Sequence, residues 1–345
     1  MSRMGLPASG IRSTVTVAAS MALVACVLSS CGSHGPHALG PASSASVPAR
    51  AGHPTAPECP PALSSPPHRI VTMDGGAAAI LDELGVGDRI VGTASPDFFN
   101  AFPEPERARL DRIPVIDPAR GSAEAVINAK PDLVVGISAY SFGGFDGTPT
   151  VDQLHRAGAQ VLVACETSGP GAVTDLSATT TFIDTAARLL NVGAQGDELN
   201  GRIRTKAQHA QPQAGAAPLR VLVLSAAPIV GQPMMTQGGR SLANGIIALA
   251  GGQNIAGDVD TDFTSLSTEA VIARDPQAIV VMTGFAPVTD QALTKSIRDS
   301  PLLAGTTAVR EGRFVDVPQS ILLSPSVLNG DAVMAIAEAL HGPSA

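Results

Sequence analysis

The stretch Ser122-Ala-Glu-Ala-Val-Ile-Asn-Ala-Lys-Pro-Asp-Leu-Val-Val135 returns later in the chain as Ser267-Thr-Glu-Ala-Val-Ile-Ala-Arg-Asp-Pro-Gln-Ala-Ile-Val280. Both copies share Ser, Glu, Ala, Val, Ile, Pro and the final Val in one register. In each copy the Ser is placed to cap a helix, the Glu falls in its first turn, and the Pro ends it before a short apolar strand. The sequence therefore predicts two equivalent α/β halves, and a cleft between two like halves is where ligands are usually held.

Outward from these copies, strands and helices alternate through both halves. In the first half we predict strands at 69–73, 88–93, 133–137 and 160–165, with helices at 77–84, 122–130 and 150–158. In the second half we predict strands at 219–225, 278–282 and 313–317, with helices at 241–250, 267–274 and 324–340. Helices at 173–190 and 194–211 stand between the halves. Such alternation builds mostly parallel sheets, so the predicted fold class is α/β with two Rossmann-like lobes and a ligand cleft between them.

Composition narrows the function. A chain of 345 residues that is 44% hydrophobic can bury a full core. Its 22 basic and 30 acidic residues give a formal net charge of −8, so it lacks the basic field that gathers nucleic-acid phosphates. Trp is absent and Tyr occurs once, which limits any site that stacks planar ligands between rings.

The N-terminus predicts export. Arg3 and Arg12 precede an apolar, small-residue run over 13–28, which is typical of a secretory signal. Two cysteines close it in lipobox-like contexts, Leu23-Val24-Ala25-Cys26 and Leu28-Ser29-Ser30-Cys31. We favour Cys31 as the lipidated residue, with Cys26 as the alternative, because Gly-Ser after Cys31 opens a flexible tether. A signal peptide over 1–31 and a diacylglycerol anchor at the outer face of the cytoplasmic membrane are therefore expected.

Residues 32–67 are rich in Pro, Ser, Ala and Gly and show no apolar period, which predicts a disordered tether. Cys59 and Cys165 are the thiols that remain after processing. Disulfides persist outside the cytoplasm, so we expect these two to be paired. Two separate buried thiols are the alternative, because a sequence does not show whether two cysteines come within bonding reach.

The chain resembles the substrate-binding lipoproteins of ABC importers for ferric siderophores, cobalamin and haem, and among these is most similar to the iron-dicitrate type of actinobacteria. The lipobox, Glu124 to Val135, Gly251-Gly252-Gln253-Asn254-Ile255 and Glu269 to Val281 carry the likeness, which covers nearly all of 68–340. It implies an N-terminal lobe over 68–193, one rigid interdomain helix over 194–213 and a C-terminal lobe over 214–345. It also implies an iron complex as ligand, a permease and an ATPase as partners, and a monomer. Met73-Asp-Gly-Gly-Ala77 departs from the Pro-x-x-Thr-Glu turn that is frequent in the family.

Loops that follow strand carboxyl ends line the ligand site of open α/β lobes. We therefore predict ligand contacts from these loops of both lobes, namely Asp74, Ser95, Asp97, Phe98, Ser138, Tyr140, Phe142, Thr236, Gln237, Arg240, Phe285 and Gln319. Arg240 can hold a carboxylate or hydroxamate oxygen through two parallel hydrogen bonds, or be a solvated loop residue. Tyr140 can ligate haem iron or stack on a chelate, or pack against its own lobe.

Glu124 and Glu269 occupy the same place in the two copies. The resemblance implies that one surface glutamate per lobe docks onto an arginine of the permease. The alternative is that each carboxylate only stabilises the first turn of its helix.

Other classes of function fit the sequence less well. It contains no Gly-x-Gly-x-x-Gly after a strand, no Gly-x-Ser-x-Gly elbow and no Walker loop, so we predict neither an enzyme nor catalytic residues. No histidine falls on a predicted cleft loop, which argues against a bare metal ion or an intrinsic cofactor. Haem or cobalamin binding, or a sensor or scaffold role in the cell envelope, are the alternatives to iron-complex transport.

Overall fold

The computed structural model describes residues 65–164, 171–210, 217–284 and 288–342. The predicted signal, most of the tether, all four cysteines and Phe285 lie outside these ranges. Within them, no helix combines the length and the apolarity that crossing a membrane requires.

The N-terminal lobe alternates short strands and helices. Its strands are β1 (Ile70–Thr72), β2 (Ile90–Ala94), β3 (Val115–Asp117), β4 (Leu133–Gly136) and β5 (Gln160–Val163). Its α-helices are α1 (Gly75–Glu83), α2 (Glu106–Leu110), α3 (Ala123–Asn128) and α4 (Val151–Arg156), and single 3₁₀ turns cover Gly87–Arg89, Pro96–Ala101 and Ala139–Ser141. The strands form a parallel sheet in the order β3-β2-β1-β4-β5.

Two longer helices follow, α5 (Ser177–Leu189) and α6 (Gly193–His209). The C-terminal lobe then contributes strands β6 (Leu219–Leu224), β7 (Met234–Gln237), β8 (Gly252–Asn254), β9 (Phe263–Leu266), β10 (Ala278–Thr283) and β11 (Phe314–Pro318). Its helices are α7 (Leu242–Leu249), α8 (Thr268–Arg274), α9 (Asp290–Arg298), α10 (Thr307–Glu311), α11 (Gln319–Leu322) and α12 (Asn329–His341).

The second sheet is also parallel, in the order β11-β10-β6-β8, while β7 and β9 pair antiparallel as a separate ribbon. The order β2-β1-β4-β5 of the first lobe therefore matches β8-β6-β10-β11 of the second. The repeated stretch forms α3 with β4 in one lobe and α8 with β10 in the other, and Val126 and Val271 are fully buried at the same position of each helix. The predicted pair of equivalent α/β lobes is confirmed.

An arginine at the start of the first strand of each lobe extends this equivalence. Arg69 donates from Nε to the Lys130 carbonyl at 3.0 Å and from Nη2 to the Ala129 carbonyl at 2.7 Å. Arg220 donates from Nε to the carbonyls of Arg274 at 2.8 Å and Asp275 at 2.9 Å. These carbonyls end α3 and α8, where no helical N–H follows to satisfy them.

Two helices, α5 and α6, form the bridge between the lobes, where the resemblance implied one. Helix α6 agrees with the predicted helix, and it pairs with the C-terminal lobe through Lys206 and Asp331 at 2.7 Å and with the N-terminal lobe through Arg202 and Glu83. Helix α5 also contacts both lobes. Thr179 near its start bonds Asn329 at 2.7 Å, and the Leu190 carbonyl at its end accepts from Arg89 at 3.3 Å.

Helix α5 begins later than the predicted residue 173. The Val173 N–H donates to the Gly239 carbonyl at 2.8 Å, and the Val173 carbonyl accepts from Asn244 Nδ2 at 2.8 Å. Both backbone groups of Val173 are therefore bonded to the C-terminal lobe and not within a helix, and α5 begins at Ser177.

One apolar core runs through both lobes and the bridge. It contains Leu133 and Leu162 of the first sheet, Ile183 and Leu199 of the bridging helices, and Val280 of the second sheet, all at most 2% exposed. Separate clusters cover the opposite face of each sheet. Because burial of apolar area is the main favourable term in folding, this shared core resists wide separation of the lobes.

Candidate functional site

The loops that follow the C-terminal ends of the parallel strands are called here the carboxyl-edge loops. In the N-terminal lobe they are residues 95–101, 118–121 and 137–149, and in the C-terminal lobe they are the described parts of 225–233, 284–289 and 319–328. The carboxyl ends of parallel strands meet at one edge of a sheet, so the loops of each lobe lie side by side.

The turn after β3 is built to present Arg120. Asp117 accepts hydrogen bonds from the N–H groups of Ala119 and Ser122, both at 2.7 Å, and these bonds, that of Ser122 first, hold the pKa of Asp117 below its ordinary value. Ser95 donates from its hydroxyl to the Ala119 carbonyl at 2.6 Å. These bonds hold Ala119 and Ser122 on either side of Arg120. The exposed guanidinium of Arg120 lies 4.3 Å above the ring of Phe145, a cation–π geometry.

The loop after β4 places two aromatic rings beside that arginine. The Tyr140 and Phe145 ring centroids are 6.2 Å apart, and their side chains are 51% and 39% exposed. Thr148, which is buried, donates to the Phe145 carbonyl at 2.7 Å and accepts from the Gly143 N–H at 3.2 Å. The loop is thus internally bonded. We call Arg120, Tyr140 and Phe145 the aromatic–arginine cluster.

The remaining predicted residues of the N-terminal lobe divide by burial. Ser138 caps its 3₁₀ turn by accepting from the Tyr140 N–H, and Asp97 is exposed while Phe98 is half-buried beside α1. Phe142 is only 2% exposed and packs in the core with Val134 and Leu154. The structure therefore corrects the prediction for Phe142, whose ring supports the loop from below.

Asp74 was also predicted to contact the ligand, and the structure corrects this prediction too. It is 4% exposed, caps α1 by accepting from the Ala77 N–H at 2.7 Å, and accepts from the Ile137 N–H at 3.0 Å. Loss of hydration on burial raises its pKa to about 6 despite these bonds. Both carboxylate oxygens are engaged within the lobe, so Asp74 ties β1 to the loop after β4 instead of facing a ligand.

In the C-terminal lobe, Arg240 follows β7. The preceding residue, Gly239, accepts a hydrogen bond from the Val173 N–H in the segment before α5. The Arg240 backbone N–H donates to the Thr261 carbonyl at 3.2 Å, and among the described residues its half-buried guanidinium has no hydrogen-bond or ion-pair partner. An unpaired guanidinium at the boundary between the lobes is suited to an anionic oxygen of a ligand.

Thr236 and Gln237 lie in strand β7, not in the loop that the sequence predicted. They are 2% and 3% exposed, and Thr236 Oγ1 and Gln237 Oε1 are buried without a hydrogen-bond partner in the described structure. Buried polar atoms of this kind are rare and require a water or a ligand group to satisfy them. Gln319, in contrast, donates from Nε2 to the Gly284 carbonyl at 2.8 Å and joins the loops after β10 and β11.

Apolar side chains also remain exposed in the C-terminal lobe. Ile229 and Val230 follow β6 and are 57% and 78% exposed, and Val288 follows β10 at 52%. Met235 and Phe263 lie on one face of the ribbon, since the register pairs Met235 with Ser265 and Gln237 with Phe263.

The sequence-based prediction of ligand contacts did not include Arg120, Ile229 or Val230. Arg120 follows the carboxyl end of β3, and the sequence did not predict that strand. β3 has only three residues and Val115 is half exposed, so the strand has no apolar run by which it could be recognised. Recognising Asp117 and Ser122 as the two ends of a turn was the signal that could have located Arg120.

Glu124 and Glu269 lie where the duplication placed them. Each is exposed in the first turn of its helix, after Ser122 or Ser267, whose hydroxyl accepts the N–H of Ala125 or Ala270 at 3.3 and 3.2 Å. The Glu269 N–H and the Ser267 hydroxyl hold the pKa of Glu269 below its ordinary value. One accessible carboxylate per lobe thus lies beside the carboxyl edge.

Two recesses lie apart from the predicted ligand residues. One of about 230 Å³ lies against α6 and is lined from the N-terminal lobe by Phe102 and from the C-terminal lobe by Leu328, the last residue of the loop after β11. The other, of about 800 Å³, flanks β8. Neither contains a residue predicted to bind ligand, so the candidate site is the open surface of the carboxyl-edge loops. Within the described ranges, no three His, Cys, Asp or Glu side chains converge as metal ligands do.

Comparison with known proteins assigns this architecture. The model of the periplasmic binding protein family matches residues 70–321, which include both sheets. The chain belongs to the periplasmic binding protein family. Members of this family are extracytoplasmic solute-binding components of ABC transporters, so the chain is a binding protein and not an enzyme.

Individual relatives agree with this assignment. The chain is 28% identical over 283 residues to a cobalamin-binding protein of Halobacterium salinarum, covering 81% of this chain and 71% of the relative. It is similar to a solved Fe³⁺-hydroxamate transport protein of Saccharomonospora viridis, with a TM-score of 0.66, 24% identity, and coverage of 81% and 95%. A periplasmic haem-binding protein of Roseiflexus superposes with a TM-score of 0.62 and 25% identity, with coverage of 79% and 98%.

Proposed function

We propose that this protein is the lipid-anchored substrate-binding subunit of an ABC importer and that it captures a metal chelate, with a ferric siderophore as the first candidate. The observation that carries the proposal is the pairing of two equivalent lobes, each with a guanidinium and exposed apolar side chains on its cleft side. No cluster of protein metal ligands accompanies them in the described ranges, which favours a metal that arrives already held by an organic chelator over a bare ion.

Cobalamin or haem is the second candidate. The relative from Halobacterium is named for cobalamin binding and the Roseiflexus structure for haem binding, and both ligands enclose their metal in an organic ring. Tyr140 supports haem because it is an exposed phenol on a carboxyl-edge loop, and a phenolate can ligate haem iron.

Anchoring rests on the N-terminal sequence. Cys31, with Cys26 as the alternative, receives the diacylglycerol, and residues 32–67 form the tether between the membrane and β1. The pairing of Cys59 with Cys165 lies outside the described residues and stays a prediction. Mass spectrometry of the exported protein tests both, since it locates the lipid and detects a disulfide-linked peptide.

A ligand screen tests the binding function. The protein is heated with ferric citrate, a ferric trihydroxamate, a mycobactin-type chelate, haem or cyanocobalamin, and the cognate ligand raises the melting temperature because it binds only the folded state. Metal-free chelators serve as controls. If none of these ligands raises the melting temperature, the proposed capture of a metal chelate is wrong.

Substitutions then assign the contacts. Arg240→Ala weakens binding by about 1 to 3 kcal/mol if the guanidinium holds a charged oxygen. Val115→Ala, which truncates an exposed apolar residue within strand β3, is the control and leaves affinity unchanged. If haem is the ligand, Tyr140→Phe shifts its absorption spectrum, and an unchanged spectrum removes Tyr140 as the axial group.

A further inference from the structure

Charge is distributed unequally over the loops that face the proposed cleft. The cationic side chains there are Arg120, after β3, and Arg240, after β7. The exposed carboxylates there are Asp97, after β2, Asp146, after β4, and Asp260. Asp260 lies close to Arg240, because the carbonyls on either side of it, those of Val259 and Thr261, accept from the N–H groups of Gly239 and Arg240.

One of the two cations is held by an aromatic ring of its own lobe. The Arg120 guanidinium lies 4.3 Å above the Phe145 ring, which fixes its position and leaves its charge unchanged. Within the described ranges, the exposed carboxylates on these loops therefore outnumber the cations by three to two, and the whole chain carries a formal charge of −8, so net charge disfavours the approach of an anion.

The exposed apolar side chains give a second, independent observation. Tyr140 and Phe145 in one lobe, and Ile229, Val230 and Val288 in the other, follow strand ends and are each at least 39% exposed. Exposed apolar area gains free energy when it is covered by another apolar surface. The unsatisfied Gln237 Oε1 adds a buried acceptor on the same lobe, which suits a ligand N–H or O–H donor.

We propose that the cleft selects metal chelates that are neutral or cationic and have an apolar outer surface, and that it discriminates against anionic chelates of the ferric citrate kind. This inference rests on the proposed function and names its ligand class. An anionic chelate meets like charges in a partly desolvated cleft, which lowers both its affinity and its association rate. A neutral or cationic chelate avoids that repulsion and covers the exposed side chains.

Matched ligand pairs test the proposal. One pair is a ferric trihydroxamate with a free terminal amine and the same chelate with that amine succinylated, with the acetylated form as the neutral size control. The other pair is cyanocobalamin and its monocarboxylic acid, in which one amide is hydrolysed. Dissociation constants are measured by calorimetry, because a chain without Trp offers little intrinsic fluorescence.

On whichever scaffold binds, the anionic member is expected to bind about tenfold more weakly at low ionic strength, and the difference shrinks as salt is added. Asp97→Lys or Asp146→Lys, on the cleft side, should reduce the difference or reverse it. Asp88→Lys is the matched control, since Asp88 is exposed just before β2, at the opposite edge of the same sheet, and should leave the ratio unchanged.

The outcomes separate the two proposals. Tighter or equal binding of the anionic members, or of ferric citrate, overturns the charge selection and leaves the binding function standing. A ratio that is insensitive to Asp97→Lys and Asp146→Lys overturns the assignment of the selection to these loops. Failure of the folded protein to bind either scaffold, ferric citrate or haem overturns the proposed function, and this inference with it.

Discussion

The side chain of Asp74 joins the start of α1 to the end of β4 from a position that water barely reaches. Its oxygens accept from the N–H groups of Ala77 and Ile137, which favour the charged form, yet loss of hydration outweighs both bonds and raises the pKa to about 6. A carboxylate whose folded-state pKa exceeds the unfolded value of 3.8 binds its proton more tightly in the folded protein.

The sign of the pH dependence follows. The stability that Asp74 contributes is fully present below pH 4 and is lost as pH rises through 6, a change on the order of 3 kcal/mol in the free energy of unfolding. Asp74→Asn removes the titration, so urea denaturation at pH 4.5 and pH 7 should show a smaller decline in the variant than in the wild type.

Three carboxylates with lowered pKa values act outside this window. The pKa values of Asp117, Asp258 and Asp275 are lowered, so their contributions are lost as pH falls below 4. Asp88→Asn, at an exposed position, is the control and should keep the wild-type decline. Equal declines in wild type and Asp74→Asn would show that Asp74 does not titrate in this range.

At the scale of elements, each lobe repeats the same three parts: an arginine at the start of its first strand, a helix capped by Ser, and the strand that follows this helix. Arg69 and Arg220 reach the last carbonyls of α3 and α8, and the residues there, Lys130 and Asp275, both adopt positive φ angles of 49° and 38°. A left-handed residue after a helix turns the chain away and leaves those carbonyls to an outside donor.

We therefore predict that Arg69→Lys and Arg220→Lys each lower the free energy of unfolding by about 1 kcal/mol, measured by urea denaturation. Lysine keeps the charge but has no planar fork with which to bond two carbonyls at once. Both arginines lie at the amino edge of their sheets, so ligand affinity should not change. Unaltered stability in both variants would mean that solvent satisfies these carbonyls equally well.

The elements also show where sequence reasoning succeeds and where it fails. The strands β1, β4, β6 and β10 were predictable because they are continuous apolar runs flanked by turn residues, as buried parallel strands are. Strands β7 and β9 were missed because each has four residues with Thr, Gln or Ser among them and no apolar period. Thr236 and Gln237 were consequently assigned to a loop, whereas they lie inside β7.

The sequence also could not show which loop side chains are buried. Asp74 and Phe142 follow β1 and β4 as a ligand residue should, and no sequence pattern distinguishes a loop side chain that turns inward from one that faces the cleft. The internal duplication, in contrast, located Glu124 and Glu269 correctly in exposed first turns, because helix caps are local features that depend on few residues.

At the scale of the whole molecule, α5 and α6 make the two lobes one cooperative structure. Asn329 is central to this, because it is fully buried and uses both ends of its amide. Its Oδ1 accepts from Thr179 on α5 at 2.7 Å and from the Ser326 N–H at 2.8 Å, and its Nδ2 donates to the Ile321 carbonyl at 2.6 Å and the Ser324 carbonyl at 3.2 Å.

Asn329→Ala leaves several buried partners unsatisfied and should lower the free energy of unfolding by about 3 kcal/mol or more. Thr179→Val is the matched variant, since it removes only the bond to α5 and should cost about 1 kcal/mol. Chemical denaturation measures both. Unchanged stability in Thr179→Val would mean that the bond between Asn329 and α5 does not hold the bridge to the C-terminal lobe.

The equivalence of the lobes also bears on the prediction that Glu124 and Glu269 dock onto a permease. Glu124 and Glu269 are related by the duplication, so they present one carboxylate from each lobe beside the same cleft, as a partner with two like subunits requires. A purely structural role has weight, because a Glu in the first turn gains about 0.3 to 1 kcal/mol from the helix dipole. That role, however, predicts an effect on stability alone.

The double reversal Glu124→Lys with Glu269→Lys separates the two roles. It should cost little folding stability and leave ligand affinity intact, since both side chains are exposed at helix starts. Uptake of radiolabelled ligand by cells should fall at least about tenfold, because like charges across an interface cost affinity and slow association. Glu338→Lys, on α12, is the control and should import normally. Wild-type uptake by the double variant would refute docking at these residues, and the two glutamates would then act only as stabilisers of their helices.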